Sequence, residues 1–107
     1  MKDDRILLQF ILDAIDRILR YSEMGEEEFY ADEKTQDAIL RNFQTMGNAA
    51  VDLSDGFRSS HPEIEWSDII GFRNVIVHDY LGVDLPTVWS IIDQEVKPLR
   101  EKIAHLI

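Results

Sequence analysis

The chain contains no cysteine. Disulfides and thiolate zinc centres are therefore excluded, and the composition suits a reducing compartment. Basic residues are scarce: 11 Lys and Arg stand against 21 Asp and Glu, giving a formal net charge of −10. General nucleic-acid binding needs Lys and Arg to displace phosphate counterions, so this balance is unfavourable for it. The bases are scattered, at Arg17 and Arg20, Arg41, Arg58, Arg73, and Lys97 to Lys102. Any contact with RNA must then be local, or shared with a second subunit or a basic partner. There is no internal repeat and no low-complexity linker. No apolar run approaches the roughly 20 residues needed to span a bilayer. The opening MKDDRILLQF has early acids and no small-residue cleavage site, which argues against a signal peptide. A soluble cytoplasmic protein is expected, with no membrane partner.

What is present is helical periodicity. The hydrophobic fraction of 45% suits a packed core, and 107 residues suit one domain, 1–107. Ile6, Leu7, Phe10, Ile11, Ala14, Ile15, Ile18 and Leu19 recur at i, i+3, i+4 and i+7. They predict an amphipathic helix from about Asp3 to Tyr21, with Asp3 or Asp4 as its cap. The acidic SEMGEEEFYAD reads as a loop holding one short helical turn at most. A second helix is predicted from about Glu33 to Phe57, capped by Asp32. Gly47 lies in its middle, where glycine costs roughly 1 kcal/mol relative to alanine, and this predicts close approach of another helix. RSSHPE breaks the chain at Pro62. A third helix is predicted from about Trp66 to Leu81, ended by Gly82. Asp84 and Pro86 open a last helix, with a kink expected at Pro98. The fold class is all-α, an up-and-down bundle of four main helices with one short extra helix.

The third helix carries the unusual stretch RNVIVHDY, from Arg73 to Tyr80. On a helix of roughly 100° per residue, with Arg73 at zero, Asn74 falls near 100°, His78 near 140° and Tyr80 near −20°. Asn74 and His78 form an i, i+4 pair, so the amide could fix the imidazole tautomer. Val75 and Ile76 point toward the core, and Tyr80 returns beside Arg73. Arg73 and His78 diverge, so one helix presents them poorly to one phosphate. Two copies facing each other across a dimer axis would bring an arginine and a histidine into one cleft.

The chemistry open to this set is narrow. No nucleophilic Ser or Cys accompanies the histidine, and no second ligand stands at zinc spacing, so neither a triad nor a metal site is offered. An arginine and a histidine suffice for RNA cleavage in which the RNA supplies its own 2′-hydroxyl. The histidine moves protons, and the arginine holds the phosphate and its developing charge. The plainer reading stands beside this one. A lone histidine in an apolar helix is more often a core residue with a satisfied hydrogen bond. A lone arginine is more often an ion pair, and a lone tyrosine a core edge.

Arg73, Asn74, His78 and Tyr80 together resemble the R-x4-H-x-Y signature of the HEPN superfamily, and more closely its HepT-like toxins. The resemblance covers nearly the whole chain. DEKTQDAILRNFQTMGNAAVDLS, Asp32 to Ser54, resembles that family's second helix, D-E-x-T-x-D-A followed by I-G-E-A. Trp66, Ile69 and Gly71 to Asn74 resemble the approach to the signature, and Trp89, Ile92, Pro98 and Leu99 fit the tail. The resemblance implies a dimeric helical bundle with a composite cleft. It implies a metal-independent ribonuclease toxin acting on tRNA or mRNA without a cofactor, with Arg73 and His78 catalytic and Asn74 supporting. It also implies a minimal nucleotidyltransferase antitoxin that adenylylates Tyr80, blocking the cleft by charge and bulk. One departure is Asn48, where the family often has Glu.

Two other readings stay open. The chain could be a HEPN-fold binding subunit, a partner and substrate of the nucleotidyltransferase with little cleavage of its own; its acidity favours this. It could also be a nucleotide-binding helper in which Arg73 grips a triphosphate. His61, in a polar turn, and His105, near the C-terminus, carry no function in this reading. Trp66 and Trp89 are read as core or interface aromatics.

Overall fold

A computed structural model describes residues 3–107, and every regular element in them is helical. In chain order these are α1 (Asp4–Tyr21), α2 (Glu26–Ala31), α3 (Glu33–Asp52), α4 (Asp55–Ser60), α5 (Trp66–His78), a 3-10 turn (Tyr80–Gly82), α6 (Leu85–Ile91), a π-helical turn (Ile92–Val96) and α7 (Lys97–His105). The core lies between α1 and α3. Leu7, Leu8, Ile11, Ala14, Ile15 and Ile18 of α1 are buried, as are Ile39, Leu40, Phe43, Met46, Ala49 and Ala50 of α3. α5 packs on the other side of α3, and the C-terminal helices close over α1. Arg100 of α7 donates to Asp16 of α1 at 2.5 Å, tying the last helix to the first. Among the described residues no helix is long and apolar enough to cross a membrane.

α1 follows the sequence expectation, with Asp3 as the cap: its carboxylate accepts from the Arg5 amide at 2.8 Å. Asp4 does different work. Its two oxygens accept from the Ser54 amide at 3.0 Å and the Ser54 hydroxyl at 2.8 Å. This contact explains the first correction. The second long helix ends at Asp52, not Phe57. Leu53 is extended (φ −60°, ψ 146°), and Ser54 starts α4 by accepting the Phe57 amide at 3.2 Å. A serine that can cap one helix and anchor to another competes with continuation of the first.

The third helix is also shorter than expected. It ends at His78, not Leu81, because Asp79 leaves helical geometry (φ −147°, ψ 58°). Gly82 is not a left-handed cap, since Gly25 is the one described residue with positive φ. Gly82 instead leaves room for the folded-back Asp79 carboxylate, whose Cγ an added Cβ would meet at 2.6 Å. The acidic segment forms α2, opened by Gly25 at φ 96°. α2 buries Phe29 against Trp89, with ring centroids 5.5 Å apart. At the C-terminal end Asp84 caps α6 through the Thr87 amide at 3.1 Å. The irregularity expected at Pro98 takes the form of the π-helical turn just before it, a wider turn that accommodates a missing amide donor.

The apolar patterns overstate burial in places. Ile6 and Phe10 are 52% and 42% exposed. In α5, Ile76 is buried as expected, but Val75 is 47% exposed and does not face the core.

Candidate functional site

The site is built on the antiparallel pair α3 and α5, with chemistry on one helix and support on the other. Gly47 lets them meet. A Cβ there would lie 2.6 Å from Arg73 Cγ, closer still to Arg73 Cβ, and 3.3 Å from the Ile69 carbonyl oxygen. The mid-helix glycine thus marks the close approach that the sequence predicts, and what approaches is the root of Arg73. Phe43 and Phe72 continue the contact edge to face, with centroids 5.1 Å apart.

Arg73 is half-buried at its base and held by two amides. Its Nε donates to Asn48 Oδ1 at 2.7 Å, and its Nη1 donates to Asn74 Oδ1 at 2.8 Å. Guanidinium has five N–H donors, so most of its face stays open. No carboxylate among the described residues pairs with it. Arg17, Arg20 and Arg41 also lack an acid partner there; what sets Arg73 apart is that two side-chain amides hold it. Asn48, where glutamate is frequent in the resembling family, orients the guanidinium without neutralising it.

His78 is the last residue of α5 and is exposed. Among the described residues its ring has no hydrogen-bond partner. The expected Asn74–His78 pair is not made, because the Asn74 oxygen serves Arg73. Arg73 and His78 lie five residues apart on one helix, about 7.5 Å along the axis and roughly 140° around it. The divergence read from the sequence therefore stands, and one chain does not converge them.

Tyr80 is not beside Arg73. The helix ends two residues earlier, so the angular argument that placed it there does not apply. Its hydroxyl reaches α3 and donates to Asp37 Oδ1 at 2.5 Å. Asn48 and Asp37 are 11 residues apart on α3, so Arg73 and Tyr80 are anchored about 16 Å apart along it. Burial first, then the Asp37 carboxylate, pushes the Tyr80 phenol up to about 12. Sequence reasoning passed over Asp37. Its only signal was membership of the stretch DEKTQDA, since one acid among 21 carries no mark of its own.

Among the described residues the outer face of α5 is unpartnered. Gly71, Asn74, Val75 and His78, at i, i+3, i+4 and i+7, are all exposed, and a Cβ at Gly71 would meet nothing within 4 Å. A groove of about 260 Å³ opens elsewhere, between Phe43 and Met46 of α3, Ile69 and Phe72 of α5, and Pro98 and Leu99 of the C-terminal helix. It includes none of Arg73, His78 or Tyr80. No group of three His, Asp or Glu side chains among the described residues is placed to hold a metal.

Comparison with known proteins shows the family. A family model described as "Ribonuclease HepT-like" matches residues 11–106. The chain is 32% identical over 100 residues to a protein of Thermococcus cleftensis named "Probable ribonuclease HepT", covering 92% of this chain and 91% of that one. It is 30% identical over 107 residues to a Methanocaldococcus jannaschii protein named "Gamma-glutamylcyclotransferase and putative RNase". There it covers 99% of this chain but spans only 48% of the relative. A "Putative RNase" of Caldanaerobacter subterraneus subsp. tengcongensis is 28% identical over 108 residues, 96% of its length. No solved structure matches. With the family model spanning almost the whole chain, the protein belongs to the ribonuclease HepT-like family of the HEPN superfamily.

Proposed function

We propose that this chain is a metal-independent endoribonuclease, the toxin of a toxin–antitoxin pair, working as a homodimer in the cytoplasm. The observation that carries the reading is Arg73, whose guanidinium is oriented by two neutral side-chain amides, from Asn48 and Asn74. A guanidinium kept open in this way suits a phosphate. The exposed stripe Gly71, Asn74, Val75 and His78 suits packing of α5 on α5 of a second copy, with Gly71 allowing close approach. In such a dimer Arg73 of one protomer and His78 of the other share one RNA phosphate. The RNA 2′-oxygen bonds to phosphorus as the 5′-oxygen leaves, giving a cyclic 2′,3′-phosphate and a free 5′-hydroxyl. His78 moves protons in this step, and Arg73 holds the charge that grows on the phosphoryl oxygens. Asn74 keeps Arg73 in place.

The antitoxin in this reading is a minimal nucleotidyltransferase that adenylylates Tyr80. Because Tyr80 is anchored well away from Arg73, the added nucleotide acts from the His78 side, two residues along the chain. The test is RNA cleavage by purified dimer in EDTA, against His78→Ala and Arg73→Ala with helicity retained. Loss of cleavage in both variants supports the reading. Equal cleavage by wild type and His78→Ala refutes it. The net charge of −10 favours a second reading, a binding subunit whose main role is complex formation with the nucleotidyltransferase. No cleavage of a broad RNA pool by unmodified dimer would select it.

A further inference from the structure

Tyr80 meets α3 through one group. Its hydroxyl donates to Asp37 Oδ1 at 2.5 Å, across 43 residues of sequence, and no other hydrogen-bond partner touches it among the described residues. Asp37 itself is exposed and makes no ion pair there. A carboxylate held on a phenol, with both groups open to solvent, has little value as a core contact. It is, however, the arrangement that a phenol needs to act as a nucleophile. A free phenol is a weak nucleophile, and it is activated by a base that already holds its proton. With the phenol pushed up to about 12, ionisation before attack is negligible at neutral pH. The proton must leave during bond formation, to a group already in contact.

We propose that Asp37 takes the Tyr80 proton when Tyr80 attacks an activated phosphorus centre, so that the tyrosine carries its own general base. This rests on the reading of Tyr80 as the modified residue and adds the residue that makes it reactive. The co-reactant is a nucleoside triphosphate delivered by the nucleotidyltransferase. Tyr80 Oη forms the new bond to the α-phosphorus, and the bond from that phosphorus to the bridging oxygen breaks. Pyrophosphate leaves, and the phenolic proton passes to Asp37 Oδ1 and then to water. The product loses the Tyr80–Asp37 hydrogen bond and gains a phosphodiester facing a carboxylate. Modification therefore also releases the 80–82 turn from α3.

The test needs neither partner nor nucleotide. Diisopropyl fluorophosphate phosphorylates phenols by the same attack, with fluoride leaving. Tyr30 is the internal standard, since its 41% exposure matches the 40% of Tyr80 and no carboxylate hydrogen-bonds to it. Labelling at neutral pH is read by peptide mass as the ratio of Tyr80 to Tyr30, with Tyr80→Phe to confirm the assignment. Wild type is expected to label Tyr80 in preference to Tyr30. Asp37→Asn should lower Tyr80 labelling about 100-fold, the lower range for removal of a general base. Asp37→Glu should recover a substantial part. If Asp37 were only a latch, Asp37→Asn would free the phenol and speed its labelling. Unchanged or faster labelling of Tyr80 in Asp37→Asn overturns the proposal, as does a wild-type ratio at or below one. A separate incubation with nucleotidyltransferase and ATP tests the nucleotidyl reading. Absence of an adenylyl adduct there, with reagent labelling intact, would fault that reading and leave the assignment of Asp37 standing.

Discussion

Replacing Gly47 with alanine sets two effects against each other. Alanine in mid-helix gains about 1 kcal/mol over glycine from propensity alone. The new methyl would also lie 2.6 Å from Arg73 Cγ and closer to Arg73 Cβ. Cβ is fixed to the backbone, so rotation about χ1 gives no relief. Because Cβ lies closer than the 2.6 Å of Cγ, restoring 3.4 Å to it makes α5 withdraw by more than the 0.8 Å difference between 3.4 and 2.6. Overpacking of this kind costs about 1–3 kcal/mol, and a clash with an atom fixed to the backbone belongs at the upper end. The net expectation is a loss of about 1–2 kcal/mol, or roughly 4–16 °C in Tm for a domain near this size. Thermal unfolding followed by circular dichroism measures it. A double-mutant cycle sharpens the test. Arg73→Ala keeps Cβ and should not rescue Gly47→Ala, whereas Arg73→Gly removes the clash and should couple favourably with it. A Tm for Gly47→Ala equal to or above wild type would refute the packing argument.

Other expectations follow from the same contacts. Ser54→Ala removes the α4 cap and the hydroxyl half of the Asp4 anchor, leaving the amide half, and should lose about 1–2 kcal/mol in urea denaturation; Asp4→Asn should couple with it. Asn48→Ala leaves Arg73 Nε unheld, and should lower RNA cleavage about tenfold while moving stability by less than about 0.5 kcal/mol. Arg73→Lys keeps the charge but loses the planar fork, and cleavage should fall by about 100-fold or more. The Tyr80 phenol, raised from 10.0 to about 12 in the folded chain, binds its proton more tightly folded than unfolded. Its contribution to stability is fully present below pH 10 and is lost as pH rises through 12. Ultraviolet titration should show one late-ionising tyrosine in wild type that moves toward its ordinary value in Asp37→Asn.

How far the sequence disclosed this arrangement depends on the range of the interaction. α1 was legible because its caps and stripe are local: Asp3 lies at the start and Leu7, Ile11, Ile15 and Ile18 share one face. Gly47 was legible because a glycine inside a helical pattern weakens the helix, and close approach of a neighbour offsets that loss. The ends of α3 and α5 were not, since both are set by contacts far along the chain. Asp4 reaches Ser54 across 50 residues, and Asp37 reaches Tyr80 across 43. Periodicity alone would run each helix on to the next breaker, through Phe57 and Leu81. The signature singled out Arg73 and His78, and helical geometry gave their divergence. What holds Arg73 was not, because an asparagine at position 48 gives no local sign of the residue it will meet.

The division of labour between the two helices has a consequence for how variants read out. α5 carries Arg73 and His78 and leads into Tyr80, yet it makes few of the contacts that position them. Gly47 sets the distance of Arg73, Asn48 its direction, and Asp37 the place of Tyr80. All three lie on α3, whose other face forms half of the core with α1. Any shift of α3 in that core is therefore carried directly to both ends of the signature. Core substitutions such as Phe43→Leu, which loosens the contact with Phe72, should disturb cleavage more than their cost in stability suggests. Substitutions on the α1-facing side of α7, such as Arg100→Ala, which breaks the tie to Asp16, should change stability while leaving the geometry of Arg73 alone. The acidic surface fits the same logic. With the guanidinium fixed by amides from α3 and α5, phosphate recognition depends on the position of this one cation rather than on the field of the whole protein.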